Sequence, residues 1–305
     1  MENPVTKLVH TELATLDKIE LPILRQHGLE ASVLRLDKIH PVISGNKWFK
    51  LKPHLDLIIR NGSAGLVSFG GAFSNHLVAA SFAAGSINLP SVGIVRGERS
   101  KTLSHSLQMA QANGMQLRFI SREQYRTKDT KTFLEAVKID YPGYHLVAEG
   151  GSGTAGIEGS KEILRLIDTS GFSHILCAWG TGTTAKGLAK ASNPSQTVIG
   201  FCVLKMPISF LQSHSVSQLG NKNLQINADY HFGGYAKRNS ELIAFMNQFY
   251  EQTQIPTDFV YTAKMFYGVL DLAGRNHFPK GSRLLIIHSG GLQGNLSLPE
   301  GLLIF

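Results

Sequence analysis

The chain of 305 residues has only two cysteines, Cys177 and Cys202, and lacks any uninterrupted apolar segment long enough to span a bilayer. Both cysteines lie in apolar runs typical of buried strands, where a thiol stays reduced and packs as a small hydrophobe. A disulfide framework is therefore not expected, although a single bridge between neighbouring strands stays open. No metal site is expected either, because His174 and Cys177, the one closely spaced pair, would point to opposite faces of a strand.

Acidic residues are also scarce. The 22 aspartates and glutamates face 30 lysines and arginines, which leaves a formal net charge of +8. The positive residues are scattered and form no tract interleaved with aromatics, so nucleic acid is disfavoured, and an anionic cofactor with a small amino-acid substrate is the simpler expectation. Met1–Lys7 lacks the charged-then-apolar order of a signal peptide, so we expect a cytoplasmic protein with no membrane partner.

Internal repeats and proline-rich linkers are absent too, and what remains is a regular alternation of strand-length apolar runs with helix-compatible stretches. This order predicts an α/β fold with mostly parallel strands and helices on both sheet faces. The predicted strands are 65–69, 91–95, 116–120, 145–148, 174–178, 198–203 and 283–288, and the predicted helices are 75–84, 102–112, 156–169, 183–191, 239–251 and 261–275.

A lysine in the segment Ser44-Gly45-Asn46-Lys47-Trp48-Phe49-Lys50-Leu51 is the first candidate for chemistry. Held between a Gly-Asn turn and an apolar stretch, Lys47 can be a desolvated amine with a lowered pKa, able to form a Schiff base with an aldehyde such as pyridoxal phosphate. In isolation, the commoner fate of such a lysine is to pack its stem on aromatics and extend its charge into water.

The spacing of a nucleotide-binding P-loop is absent, but Gly180-Thr181-Gly182-Thr183-Thr184 follows a predicted strand and opens a predicted helix. Such a loop offers backbone N–H groups, hydroxyls and the positive end of a helix dipole to a phosphate ester. A simple tight turn fits the pentapeptide equally well. A dinucleotide is disfavoured, because the next strand ends in Leu204-Lys205 without the acid that binds a ribose.

Ser74, in Gly70-Gly71-Ala72-Phe73-Ser74-Asn75-His76, either caps a helix or helps the loop hold a substrate carboxylate and moves a proton at the α-carbon. A serine hydrolase is disfavoured, since the Gly-x-Ser-x-Gly elbow is missing. Tyr235 and Tyr261 could each be an acid or base near a ligand cleft, or an ordinary core aromatic.

Taken in order, these segments resemble the pyridoxal-phosphate enzymes of the tryptophan synthase β-subunit-like fold, and specifically the 1-aminocyclopropane-1-carboxylate deaminase and D-cysteine desulfhydrase family. The resemblance covers nearly the whole chain, from Gly45 to Gly291. It is carried by Gly45-Asn46-Lys47 with Lys50-Leu51, by Gly70-Gly71 with Ser74-Asn75, by the loop Gly180–Thr184, by Asp258-x-Val260-Tyr261 and by His288-x-Gly290-Gly291.

The resemblance implies that Lys47 bonds the cofactor aldehyde and that Lys50 is a phosphate partner. It implies that Ser74 contacts the substrate carboxylate or is a catalytic serine and that Asn75 binds the phenolic oxygen of the cofactor. Gly180, Thr181, Gly182, Thr183 and Thr184 would hold the phosphate, and Tyr235 and Tyr261 would flank the substrate.

Two further positions bear on the reaction that the resemblance implies. Deaminases that open the cyclopropane ring carry Glu after the second tyrosine and Leu within the late His-x-Gly-Gly, whereas this chain has Thr262 and Ser289 there, as desulfhydrase-like members do. A hydroxyl would keep the pyridine nitrogen neutral, which suffices to expel a thiol. Trp48 and Phe49 replace a usual Thr-Arg pair and are expected to make the entrance bulkier.

The expected activity is β-elimination from a small amino acid, most simply D-cysteine, with Lys47 or Ser74 as the base. The alternatives are a 1-aminocyclopropane-1-carboxylate deaminase, an amino-acid racemase or dehydratase of the same fold, and a non-catalytic binder of the cofactor. The resemblance further implies a homodimer. It also implies a large cofactor-binding domain of residues 1–49 and 156–305, with a small α/β domain of residues 50–155 inserted in it.

Overall fold

The computed structural model describes residues 8–206 and 223–305. Met1–Lys7, on which the expectation about a signal peptide depends, lies outside the described residues. The α/β class and the mostly parallel strand arrangement are confirmed, because the described strands form two sheets in which one pair alone is antiparallel. In the described part of the chain, no helix combines the length and hydropathy needed to cross a bilayer.

Strands and helices are numbered here in chain order. The strands are β1 Thr15–Ile19, β2 Glu30–Arg35, β3 Gly65–Gly70, β4 Ser91–Arg96, β5 Met115–Ile120, β6 Tyr144–Val147, β7 His174–Trp179, β8 Thr197–Cys202, β9 Leu224–Asn227 and β10 Arg283–His288. The helices are α1 Pro22–Gln26, α2 Asn46–Asn61, α3 Asn75–Ser86, α4 His105–Ala112, α5 Arg122–Arg126, α6 Lys131–Asp140, α7 Thr154–Lys161, α8 Thr183–Ala191, α9 Ser240–Thr253 and α10 Thr262–Gly274.

The smaller sheet has the order β5-β4-β3-β6, and all of its pairs are parallel. Its central strand β3 is buried at every position, which explains why it reads as a continuous apolar run rather than an alternating one. Helix α3 starts directly after the loop that ends this strand, and Ser74 caps it by accepting a hydrogen bond from the backbone N–H of Leu77. The carboxyl end of β3 therefore delivers the Ser74 loop.

The larger sheet has the order β1-β2-β10-β7-β8-β9, with only β1 antiparallel to its neighbour. Strands β7 and β10 are buried over nearly their whole length and lie side by side. Because parallel strands end at the same edge of a sheet, the loops Gly180–Thr184 and Ser289–Gly291 leave one edge together. This edge collects two of the predicted motifs.

The sequence pattern missed several elements and misjudged the bounds of two helices. Strand β1 is mostly exposed, so it lacks the apolar run that identified the central strands. The predicted helix 156–169 is wrong in extent, because α7 ends at Lys161 and a 3₁₀ segment, Glu162–Leu166, continues the chain. The predicted start of the helix 102–112 is also early, since Ser104 caps α4 and the helix begins at His105. Caps decide such boundaries more than periodicity does.

The chain separates into two compact units. One comprises Lys47–Gly159 with His40–Ile43 and the N-terminal residues up to His10, and it contains the smaller sheet. The other comprises Thr11–Ile39, Ser44–Asn46 and Ser160–Phe305, and it contains the larger sheet. The domain limits implied by the resemblance, 1–49 and 156–305 around 50–155, stay a prediction.

Candidate functional site

Asn46 connects three of the motifs within the larger-sheet unit. Its side-chain Nδ2 donates to the Thr184 hydroxyl at 2.9 Å, and its backbone N–H donates to the carbonyl oxygen of Ser289 at 3.2 Å. Asn46 is 7% exposed, so both bonds are shielded from water. The residue directly before Lys47 is thereby fixed to the threonine-rich loop and to the His288–Gly291 turn.

Lys47 is the second residue of α2 and is partly buried, whereas Lys50 one turn later is only 5% exposed. The Lys50 ammonium donates to the carbonyl oxygen of Gly150 at 3.3 Å. Trp48 and Phe49 are each 2% exposed and pack into the interior, so the expectation that they form a bulky entrance is wrong. Their burial instead anchors the first turn of α2, which carries both lysines.

The loop Gly180–Thr184 ends at the start of α8, where the first intrahelical bond runs from the backbone N–H of Lys186 to Gly182. The N–H groups before it have no carbonyl acceptor in the helix, which is the arrangement that binds phosphate. Thr181 is exposed, and its hydroxyl lies 2.9 Å from that of Thr183. A Cβ at Gly180 would lie 3.2 Å from the ring of Tyr261, so the missing side chain lets this tyrosine approach the loop.

In the smaller-sheet unit, His76 follows Ser74 and Asn75 at the start of α3 and is 3% exposed. Its Nε2 lies 2.8 Å from the Ser68 hydroxyl, which in turn donates to the carbonyl oxygen of Val147 at 2.9 Å. Because the hydroxyl has one proton, Nε2–H must donate to Ser68, which assigns the tautomer. Burial, followed by the charges of Lys47 and Lys50, holds the pKa of His76 well below its usual value. His76 is therefore a neutral neighbour of the two lysines.

His54, also on α2, is 7% exposed, and its Nδ1 lies 2.9 Å from Nε2 of His145. Burial, and then the neighbouring His145, lower the pKa of His54 to about 4. Between about pH 6.5 and pH 4 the unfolded chain binds a proton at this position that the folded chain does not, so folding stability falls as the pH drops through that window.

We expect His54→Gln to remove part of this acid sensitivity. The loss of unfolding free energy between pH 7 and about pH 4.5, measured by urea titration, should be smaller than in the wild type by ~2 kcal/mol. The control is His105→Gln, which makes the same replacement at an exposed histidine and so shows what the substitution does without burial. Parallel pH profiles for wild type and His54→Gln would contradict the assignment.

Tyr235 and Tyr261 lie together in the larger-sheet unit, with ring centroids 6.0 Å apart and planes inclined at 70°. Tyr235 is 39% exposed, and Tyr261 is partly buried. The edge-to-face arrangement leaves one ring accessible while the other packs against the Gly180 loop. The two predicted tyrosines are thus neighbours, and Tyr261 is the one that lies against the threonine-rich loop.

Asp258 determines the position of Tyr261 and Thr262. Its fully buried carboxylate accepts hydrogen bonds from the backbone N–H groups of Val260, Tyr261 and Thr262 and from the Thr262 hydroxyl, at 2.8–3.0 Å. Burial nevertheless raises its pKa. The Thr262 hydroxyl also accepts from the backbone N–H of Asp258 at 2.8 Å, so its proton is engaged by the aspartate. Sequence analysis assigned Asp258 no role, although an aspartate shortly before a helix is a capping pattern.

A buried charge network supports the turn that carries Ser289. The Arg35 guanidinium binds both oxygens of the Asp37 carboxylate, at 2.8 and 2.6 Å. His288 places Nδ1 3.1 Å from Asp37 and donates from Nε2 to the carbonyl oxygen of Pro256 at 2.7 Å. Burial opposes ionisation of Asp37, but the charges of His288 and Arg35 prevail and lower its pKa. Ser289, 7% exposed, is held at the end of this network, which sequence reasoning missed because its members are far apart in the chain.

Comparison with known proteins is consistent with these motifs. A family model described as "Pyridoxal-phosphate dependent enzyme" matches residues 9–290. A bifunctional D-cysteine desulfhydrase/1-aminocyclopropane-1-carboxylate deaminase of Arabidopsis thaliana is 27% identical, over 88% of this chain and 74% of its own length. A D-cysteine desulfhydrase of Klebsiella pneumoniae is 26% identical, over 89% and 90%. A solved structure described as an ACC deaminase homologue has a TM-score of 0.77 at 25% identity, over 96% of this chain and 94% of its own.

Proposed function

The chain belongs to the family of pyridoxal-phosphate dependent enzymes, and from this membership we propose that it catalyses β-elimination on a small amino acid, with D-cysteine as substrate and pyruvate, ammonia and sulfide as products. The observation that carries the proposal is the junction at Asn46. It attaches the candidate lysine segment to the threonine-rich loop and to the Ser289 turn. The similar proteins are named for D-cysteine desulfhydration or for 1-aminocyclopropane-1-carboxylate deamination. The choice of substrate is therefore argued from the residues of this chain.

The donor set around the loop Gly180–Thr184 fits the phosphate of the cofactor. Backbone N–H groups at the start of α8 have no helical acceptor, and the hydroxyl of the exposed Thr181 lies beside them. We assign the phosphate to this loop; that Lys50 is a further phosphate partner and that Asn75 binds the phenolic oxygen stay predictions from the resemblance. Bound pyridoxal phosphate supplies an aldehyde for an amino group and a ring that accepts the electron pair of a bond broken at the α-carbon.

Lys47 is proposed to be the residue that would hold the cofactor aldehyde, and its amine would become free to act as a base when the amino group of a substrate takes its place. Lys47 lies in the first turn of α2, directly after Asn46, whose side chain and backbone N–H both donate hydrogen bonds. This position restricts where the amine of Lys47 can reach. The neutral His76 adds no positive charge beside Lys47. Ser74, whose oxygen accepts from the Leu77 N–H, keeps its own proton available for the substrate carboxylate.

In the reaction, Lys47 or Ser74 removes the proton from the α-carbon of D-cysteine. The bond between the β-carbon and sulfur then breaks, and its electron pair leaves on sulfur, which takes up a proton and departs as hydrogen sulfide. The 2-aminoacrylate that remains reacts with water to give pyruvate and ammonia. Tyr235 and Tyr261 are proposed to flank the substrate during these steps and to limit access of water.

The substrate preference rests on Thr262 and Ser289, the positions where cyclopropane-opening relatives are expected to carry Glu and Leu. Neither residue brings a carboxylate to the pyridine nitrogen. The two hydroxyls do not have the same role. The hydroxyl of Thr262 donates its proton to Asp258, so it cannot also donate that proton to the ring nitrogen. We therefore propose that Ser289 is the hydroxyl facing the ring nitrogen and that Thr262 positions Tyr261.

The test is a product assay with the purified protein reconstituted with pyridoxal phosphate. We expect sulfide, ammonia and pyruvate in equal amounts from D-cysteine, at least ~10-fold faster than from 1-aminocyclopropane-1-carboxylate. Formation of 2-oxobutyrate and ammonia from the cyclopropane substrate at the higher rate would make the protein a deaminase instead. Interconversion of enantiomers would make it a racemase, and bound cofactor without any product would make it a binder. A homodimer and a cytoplasmic location stay predictions.

A further inference from the structure

The loop between β9 and α9 has an unusual backbone. Four of the five residues from Phe232 to Ala236 have positive φ angles, namely Phe232 at 49°, Gly233 at 87°, Gly234 at 115° and Ala236 at 54°. For phenylalanine and alanine this left-handed region is sterically unfavourable and persists only where surrounding contacts hold it. The loop must therefore be restrained from outside its own sequence.

Lys264 on α10 supplies that restraint. Its ammonium group donates to the carbonyl oxygen of His231 at 2.9 Å, directly before the strained stretch, and to that of Gly234 at 2.7 Å, within it. The side chain is 0% exposed, and burial lowers its pKa to about 8 against the opposing charge of Asp258. A buried ammonium group destabilises the fold unless it makes hydrogen bonds or an ion pair. Here the two hydrogen bonds to the loop carbonyls offset the cost of burying the charge.

The loop also has backbone hydrogen bonds of its own. The backbone N–H of Gly234 donates to His231 at 3.0 Å, and that of Lys237 donates to Gly234 at 3.1 Å. Both accepting carbonyls are those that Lys264 also binds, so the ammonium reinforces these two bonds, while the Gly233 N–H donates separately to Nδ1 of His231 at 2.9 Å. Removing the ammonium would take one of the described donors away from each of these two buried or half-buried carbonyls.

What the loop presents is Tyr235, whose ring lies against Tyr261, which in turn lies against the Gly180 loop. The order of contacts is thus from Lys264 to the strained turn, then to Tyr235 and on to Tyr261. Lys264 itself has no place in the proposed chemistry, since both of its described bonds go to the loop. One of the two carbonyls that Lys264 binds belongs to Gly234, the residue directly before Tyr235.

We propose that Lys264 is a positioning residue that clamps the loop His231–Ala236 and thereby holds Tyr235 in place to receive the substrate. This assignment rests on the proposed function only in naming the substrate as the ligand of Tyr235. The clamp itself is a property of the fold and is tested without turnover.

The experiment uses Lys264→Met, which keeps the length of the side chain and removes its donors, with Lys237→Met as a matched control that removes an exposed lysine next to the same loop. Hydrogen exchange of the peptide covering residues 231–238 should be at least ~10-fold faster in Lys264→Met and unchanged in Lys237→Met. The visible absorbance of bound pyridoxal phosphate should be retained. The KM for D-cysteine should rise ~10-fold while kcat changes by less than ~3-fold, because Tyr235 contributes binding rather than proton transfer.

Unchanged exchange in Lys264→Met would overturn the clamp, whatever reaction the enzyme catalyses. Faster exchange with unchanged KM and kcat would overturn the link to Tyr235. If Lys264→Met does not fold, Lys264→Gln, whose amide can still donate to one carbonyl, should give an intermediate exchange rate, and a wild-type rate would refute the proposal. A wild-type protein that turns over no amino acid would refute the proposed function while the exchange result still decides the clamp.

Discussion

Lys47→Ala is expected to abolish the visible absorbance of protein-bound pyridoxal phosphate and to lower the rate of product formation by at least ~1,000-fold. The reason is that the amine that holds the cofactor aldehyde is removed, while the loop Gly180–Thr184 and its bond to Asn46 stay in place. Borohydride reduction of the wild type, followed by peptide mapping, should find the cofactor fixed to Lys47.

Lysines elsewhere serve as controls for this substitution. Lys52 lies on the same helix and Lys186 at the start of α8, so Lys52→Ala and Lys186→Ala test the helix and the loop without touching the proposed amine. Both variants should retain the absorbance and the borohydride label at position 47. Label found at another lysine, or absorbance retained in Lys47→Ala, would refute the assignment of the site.

Gly45→Ala is expected to have the second largest effect, although it adds only a methyl group. Gly45 has a φ angle of +66°, and a Cβ at this position would lie 1.9 Å from the carbonyl oxygen of Ser289. Because this oxygen belongs to the backbone, it cannot move away by a side-chain rotation. The same carbonyl accepts the hydrogen bond from Asn46. We expect a loss of ~3 kcal/mol or more in unfolding free energy and a cofactor dissociation constant raised at least ~10-fold.

A glycine at the other end of α2 isolates the cause. Gly62 has φ +60°, nearly the same backbone conformation, but a Cβ there meets no atom within 4 Å. Gly62→Ala should therefore show only the conformational cost of the left-handed region, about 1 kcal/mol, with normal cofactor binding. Urea titration and cofactor titration of both variants make the comparison. Equal effects at the two positions would mean that the contact with Ser289 is not what requires glycine at position 45.

Buried lysines in this chain differ in what their charge does. Lys50 and Lys264 are both nearly or fully buried; the described bond of the Lys50 ammonium goes to the carbonyl oxygen of Gly150, whereas those of the Lys264 ammonium go to two carbonyl oxygens of a strained loop. The family resemblance singled out Lys50, because it stands three residues after Lys47 in the segment that carries the resemblance. Lys264 stands in an unremarkable helical pattern, and only its neighbours in space reveal why an amine is tolerated there.

The sequence by itself determined the α/β class, the course of the central strands and the position of each motif at the end of a strand or the start of a helix. These features follow from local rules, since a run such as Gly65–Gly70 and a capping residue such as Ser74 act through residues close to them in the chain. Exposed edge strands such as β1 were not predicted, because they bury too few side chains to require the apolar run that identifies a central strand.

Only the tertiary structure decided which polar groups pair. Asn46 and Thr184 are 138 positions apart, and the network of Arg35, Asp37 and His288 joins opposite ends of the chain. The proton of Thr262 is bound by Asp258, which is why Ser289 rather than Thr262 is proposed to face the ring nitrogen. A buried polar group needs a hydrogen-bond partner, and that partner can come from any part of the chain that the fold brings near. A local sequence pattern therefore does not identify it.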